Sequence, residues 1–177
     1  MITITLPDGS KREYAKGVTG MEIARSISEG LARNVLSVMV DDTVQDAALP
    51  IEKDCLVRLL TWNDEEGKAT MWHSSAHLMA AAVEQLYPGV KFGIGPDIEN
   101  GFYYDIDLGD RVINESDFPK IEQKMMELAK QKHTFTRKSV PKEEALDFYT
   151  QKGDEYKQEL IAELEDGEIT FYETGEF

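Results

Sequence analysis

Two histidines, His73 and His77, stand four residues apart in a stretch whose apolar residues recur every three and four positions. That period predicts a helix over 69–87, with Trp72, Ser75, Ala76, Met79, Ala80, Val83 and Leu86 inward and Pro88-Gly89 as its stop. On such a helix the two imidazoles share a face, about one turn apart. A pair so placed can share a metal, orient a water or exchange protons with a substrate. The metalloprotease pattern requires Glu after the first His, and Ser74 stands there instead. A tetrahedral metal site needs a third ligand, and His133, Cys55 and the scattered carboxylates show no ligand spacing. Spacing alone leaves two readings open: working imidazoles, and packed or surface histidines without a task.

The elements around this helix must position whatever it carries. Val90 to Pro96 and Asn100 to Asp107 read as strands joined tightly at 97–100. Gly93 and Gly95 allow another backbone or a ligand to come close. They do not form a phosphate loop, since no Gly-Lys-Ser/Thr follows. A helix is expected over 119–132 with Ile121, Met125 and Leu128 inward, then a strand over 134–140. Pro141 opens a further helix that turns Ala145, Leu146 and Phe148 inward and ends near Gly153. Residues 155–164 read as helical and carry Lys157, whose plain reading is an exposed helix lysine. Ile169, Phe171 and Phe177 fit a β-like segment, and ending there is expected of a chain cut within a domain.

The first sixty residues contain no histidine. Ile2, Ile4 and Leu6 alternate with Thr3 and Thr5 as in a half-buried strand, Pro7-Asp8-Gly9-Ser10 supplies a turn, and Lys11 to Tyr14 returns. Thr19-Gly20-Met21-Glu22 has capping-box spacing ahead of a helix with Met21, Ile23, Ala24 and Ile27 inward and Gly30 as its stop. Val35 to Val40 and Cys55 to Leu60 read as further strands, so this part is a small α+β unit with a helix across a mixed sheet. Cys55 alternates into an apolar strand and reads as an inert core thiol. Asn63-Asp64-Glu65-Glu66-Gly67 reads as a linker, giving domains at 1–61 and 68–177 with 62–67 between them.

Composition bounds the function. The 177 residues hold 34 acidic and 19 basic side chains, a formal charge of −15, with 41% hydrophobic residues, enough for a packed core. Such acidity argues against a dedicated nucleic-acid binder. Charge is uneven, however: residues 120–142 carry seven basic groups (Lys120, Lys124, Lys130, Lys132, Arg137, Lys138, Lys142) against two acidic ones, a local net of +5. Its plain reading is a solvated helix face, and its functional reading a phosphate contact. No apolar run reaches the ~20 residues that span a bilayer, and no basic-then-apolar leader opens the chain. A single cysteine rules out an internal disulfide; the expected location is the cytoplasm.

Two sets of residues resemble a known family. The opening Ile4-Thr5-Leu6-Pro7-Asp8-Gly9-Ser10 resembles the ubiquitin-like β-grasp module called TGS. His73-Ser74-Ser75-Ala76-His77-Leu78, Gly95-Pro96 and Asn100-Gly101-Phe102-Tyr103-Tyr104-Asp105 resemble the editing domain of bacterial-type threonyl-tRNA synthetases, where the TGS module also comes just before. The resemblance implies a TGS domain followed by an α+β editing domain, its long His-bearing helix packed on an antiparallel sheet. It implies hydrolysis of mischarged seryl-tRNA(Thr), with His73 contacting the terminal adenosine and orienting water and His77 handling water or protons. Lys157 would hold or polarise the reacting groups, and Gly95 and Tyr104 would shape the pocket. The family's further Cys-x-x-x-His is absent from these residues, so hydrolysis by them alone is expected to be poor.

No cofactor is implied for this region. ATP, magnesium, zinc and threonine belong to the family's ligase core, tRNA(Thr) is the implied partner, and the full-length enzyme is expected to be a homodimer with no membrane contact. Two other classes stay open: a non-catalytic module that binds RNA or protein, and a free-standing hydrolase of mischarged tRNA.

Overall fold

The computed structural model describes residues 1–165 and 167–175, with the backbone alone at Glu168. Phe177, expected in the last strand, lies outside the described residues. Two compact units divide the chain, Met1–His73 and Ser74–Phe177.

In the first unit, β1 (Ile2–Thr5) and β2 (Lys11–Tyr14) form the expected hairpin, with Ile2 opposite Tyr14 and Thr5 opposite Lys11. Asp8 closes its turn by accepting from the Ser10 amide at 2.9 Å and the Ser10 hydroxyl at 2.6 Å. After β3 (Val18–Thr19), helix α1 (Gly20–Ile27) starts at a complete capping box. The Glu22 amide donates to Thr19 Oγ1 at 3.2 Å, and the Thr19 amide donates to Glu22 Oε2 at 2.9 Å. Gly30 is not the stop. Ser28 ends α1 in an extended conformation and caps a short α2 (Glu29–Ala32) by accepting from the Leu31 amide at 3.0 Å. A serine hydroxyl offers the backbone an alternative partner, which is how it interrupts a helix that glycine does not.

Four more strands follow: β4 (Ser37–Val40), β5 (Thr43–Gln45), β6 (Pro50–Ile51) and β7 (Cys55–Leu60). The main sheet runs β2-β1-β7-β4-β5, with β1 and β7 parallel at its centre and its other pairs antiparallel. Helix α1 supplies Ile23 to one apolar cluster, with Ile2, Ile4, Val18, Ile51 and Val57, and Ala24 to another, with Val35, Val38 and Ala47. Burying each of the larger aliphatic side chains contributes roughly 1.5–3 kcal/mol. Cys55 is a buried free thiol in the first cluster, and desolvation pushes its pKa up.

Helix α3 (Glu65–Leu86) begins inside the stretch expected as a linker. Asp64 prepares it: its Oδ2 accepts from the Thr61 amide at 2.8 Å, and its carbonyl accepts from the Lys68 amide at 2.9 Å. Gly67 sits within the helix, where a Cβ would lie 2.0 Å from the Thr61 carbonyl oxygen. Close approach, not looseness, is what that glycine provides.

In the second unit, β8 (Lys91–Phe92), β9 (Asp97–Ile98), β10 (Gly101–Phe102) and β11 (Ile106–Asp107) form two short antiparallel ladders, β8 with β11 and β9 with β10. The tight connection is Glu99-Asn100, shorter than the expected 97–100. Next come α4 (Phe118–Gln131), β12 (Phe135–Pro141), α5 (Lys142–Lys152), α6 (Glu155–Glu163) and β13 (Glu168–Thr174). β12 and β13 pair antiparallel along their whole length, Phe135 with Thr174 through Pro141 with Glu168. Ala80 and Val83 of α3 pack with Val90, Phe92 and Ile121, flanked by Met79, Leu86, Tyr104, Ile106 and Met125. On α5, Ala145 is fully buried as expected, but Phe148 is 52% exposed. Its ring lies against Tyr149 (centroids 5.1 Å) and Phe171 (5.9 Å) on the outside. Tyr149 takes the inward place, four residues on from buried Ala145 and therefore on its face.

Candidate functional site

Lys157, Gly95 and Tyr104 come together in the second unit, around a break in the β8–β11 hairpin. The Gly93 amide donates to the Asp105 carbonyl at 2.9 Å, while the Asp105 amide donates to the carbonyl of Ile94, also at 2.9 Å. Two residues thus oppose one, which is a β-bulge. The bulge turns the Gly93 carbonyl out of the ladder, and Lys157 Nζ donates to it at 2.8 Å. Beyond the bulge a Cβ on Gly95 would lie 2.5 Å from two carbons of the Tyr104 ring, so only glycine lets that ring lie flat on the strand. Tyr104 is also held edge-on by Phe92, with centroids 5.3 Å apart and planes at 67°.

Lys157 reaches this spot because of how α6 begins. Gly153 ends α5 in the left-handed region (φ 74°), and Asp154 caps α6, its Oδ1 accepting from the Lys157 amide at 3.1 Å. Asp154 is 4% exposed, the one buried ionisable carboxylate or amine among the described residues. Its Oδ2 lies 3.5 Å from the Phe92 amide, a long contact that ties α6 to the end of β8.

Burial dominates the ionisation of this cluster. Desolvation pulls the Lys157 pKa down; the Asp154 charge opposes the shift and that of Lys152 adds to it. Desolvation and then Asp154 raise the pKa of the Tyr104 phenol. Desolvation, with Asp154, Tyr104 and Glu84 behind it, pushes Tyr149 up to about 12. An ammonium in such a place is less hydrated than a surface lysine. It has three N–H donors, of which Gly93 uses one, and can offer another to a substrate oxygen.

His77 belongs to the same unit. It is half-buried on α3, its ring 6.5 Å from that of Tyr172 on β13, with planes at 48°. His73 is exposed and falls in the first unit, one helical turn earlier on α3. Among the described residues, no group of three or more His, Cys, Asp or Glu is placed to hold a metal ion. No helix among them is long and apolar enough to cross a membrane.

The basic segment is largely paired within the fold. Lys124 meets Glu127 at 3.1 Å, Lys138 meets Glu173 at 2.7 Å, and Lys120 lies 4.0 Å from Asp117. Arg137 donates to the Thr170 hydroxyl at 3.2 Å, and Lys142 Nζ donates to the Ala162 carbonyl at 3.0 Å. Asp154 and the Gly93 carbonyl escaped the sequence reading. The signal was present as Gly-Asp before a helical stretch and a Gly-x-Gly on a strand, but only their meeting gives either a role.

A five-stranded mixed sheet crossed by a helix and followed by an α+β unit defines the class. Residues 2–61 match the TGS domain family, and the β-grasp topology agrees with that match. Across all 177 residues the chain is similar to the N-terminal part of bacterial threonine–tRNA ligases. It is 60% identical to that of Cytophaga hutchinsonii, 57% to that of Parabacteroides distasonis and 52% to that of Flavobacterium johnsoniae. All of this chain is covered each time, but it spans only 27% of the length of these relatives.

Proposed function

We propose that this chain is the N-terminal part of a threonine–tRNA ligase, with a TGS domain at 1–61 and an editing domain over 68–177 that hydrolyses mischarged seryl-tRNA(Thr). Identity of 52–60% over the whole length of the chain supports the first half of that reading. The Lys157 ammonium, half-buried against the Gly93 carbonyl, carries the second.

Serine lacks one methyl group of threonine, and a missing methyl weakens binding by only about 1–3 kcal/mol. A ligase for threonine thus needs a second site that removes serine from the ester. That reaction requires a positioned water, a proton acceptor and positive charge where the oxyanion develops. His73 and His77 supply imidazoles one turn apart for water and proton. Lys157 supplies the charge, and Tyr104, packed on Gly95, shapes the wall for the terminal adenosine and the seryl group. A water-excluded ammonium is worth more to an oxyanion than a hydrated one. Partners follow from the whole enzyme: tRNA(Thr), with threonine and ATP at the ligase core, in the cytoplasm and as a homodimer.

The test is deacylation of seryl-tRNA(Thr) by the full-length polypeptide. Lys157→Met and His77→Ala should each cost roughly a hundredfold in rate while aminoacylation with threonine is unchanged. Deacylation at the parental rate in both variants would sink the reading. The 177 residues alone should hydrolyse poorly, since Cys55 is their only cysteine and no Cys-x-x-x-His is available. A gel shift with tRNA(Thr) on the same sample separates binding from hydrolysis.

A further inference from the structure

We propose that Asp154 is a positioning residue for Lys157: its carboxylate clamps the start of α6 to the end of β8 and so holds the ammonium at the Gly93 carbonyl. The role assigned to Lys157 rests on the editing reading above; the clamp itself does not.

Three observations converge on it. Asp154 is buried at a place where a helix cap alone could be made by an exposed serine or asparagine. Its two oxygens face different elements, Oδ1 the Lys157 amide and Oδ2 the Phe92 amide. Lys157 then donates to the carbonyl of the very next strand residue, Gly93, which the bulge has freed. One side chain therefore fixes both the backbone from which Lys157 extends and the strand it reaches. Removing a buried carboxylate beside a desolvated ammonium also removes the charge that opposes its neutralisation.

The other charged groups around α6 are arranged in pairs. On α5, Lys152 is bound to Glu84 of α3 at 2.6 Å. On β8, Lys91 lies 3.4 Å from Glu155, and Tyr156 donates to Asp107 at 3.0 Å. Tyr104 and Tyr149 complete the titratable set, and burial keeps both phenols neutral to high pH. Asp154 is thus the acidic group whose charge favours the Lys157 ammonium.

Asp154→Asn keeps the capping oxygen and removes the charge; Asp154→Ala removes both. In the 177-residue chain, the side-chain titration of isotope-labelled Lys157, followed by NMR, should move to lower pH in both variants. The thermal midpoint should fall clearly only with alanine, because asparagine caps as well as aspartate. In the full-length polypeptide, Asp154→Asn should lower seryl-tRNA deacylation roughly tenfold. The loss should be largest at alkaline pH and recover as pH falls through the lowered Lys157 midpoint, with kcat affected more than KM. An unmoved Lys157 titration in Asp154→Asn, or a Phe92 amide signal that stays in place in Asp154→Ala, overturns the clamp. Movement of both supports it even if Lys157→Met deacylates normally, in which case the editing role fails and the clamp stands.

Discussion

In residues 1–60 the strands keep regular ladders over a five-stranded mixed sheet, and the side chains without any exposure are aliphatic: Ile4, Ile23, Ala24, Val38, Val57 and Leu60. Across residues 91–157 the hairpin ladders are two residues long, a bulge interrupts them, and the buried set includes Asp154. Both stretches are small α+β arrangements. They differ in what the irregularity allows. A continuous ladder satisfies its own amides and carbonyls and leaves nothing to reach for, whereas a bulge frees a carbonyl that another group must satisfy. In the second unit that group is a lysine, and holding a lysine there requires a buried carboxylate. Irregular backbone and buried charge arise together, which is where chemistry is to be sought.

Leu60→Ala should cost the first unit about 3 kcal/mol through the cavity it leaves. Urea unfolding read by hydrogen exchange should show that loss in residues 1–60 with little change in the second unit; equal losses in both would mean that the two contrasting regions unfold as one. Gly95→Ala pushes a methyl into the Tyr104 ring and should lower seryl-tRNA deacylation by the full-length polypeptide roughly a hundredfold, leaving the first unit's melting unaltered. Thr19→Ala dismantles the capping box and should destabilise the first unit by about 1 kcal/mol, with deacylation unchanged.

The smallest effect concerns Tyr149, whose phenol burial pushes up to about 12 from the ~10 of an exposed tyrosine. A raised folded pKa favours the neutral form, so its stabilisation is complete below pH 10 and is lost as pH rises through 12. Stability should decline over that window, and Tyr149→Phe should flatten the decline; absorbance at alkaline pH reports the phenolate directly. An equal decline in the variant would place the alkaline sensitivity elsewhere.

Much of this was legible in the chain. The alternation of Ile2, Ile4 and Leu6, the Thr19–Glu22 box and the Cys55–Leu60 strand each depend on neighbours a few residues away, and each stands where the pattern put it. The same-face spacing of His73 and His77 is a property of any helix through them. Three expectations shifted. Gly30 gave way to Ser28 as the helix stop, Gly67 turned from a linker residue into a contact point with Thr61, and Phe148 yielded its inward place to Tyr149.

By itself the sequence determined the β-grasp, the long helix with its two imidazoles, the glycines at 93 and 95, and the resemblance that made Lys157, Gly95 and Tyr104 worth seeking. Only the tertiary structure decided that Lys157 meets the Gly93 carbonyl, that Asp154 is buried near it, and that three of the seven basic groups at 120–142 meet acids of the fold. The reason is range. Periodicity, caps and turns are set within about one helical turn or one hairpin. A desolvated charge is set by residues up to 64 positions away, and its partner is named by no local pattern.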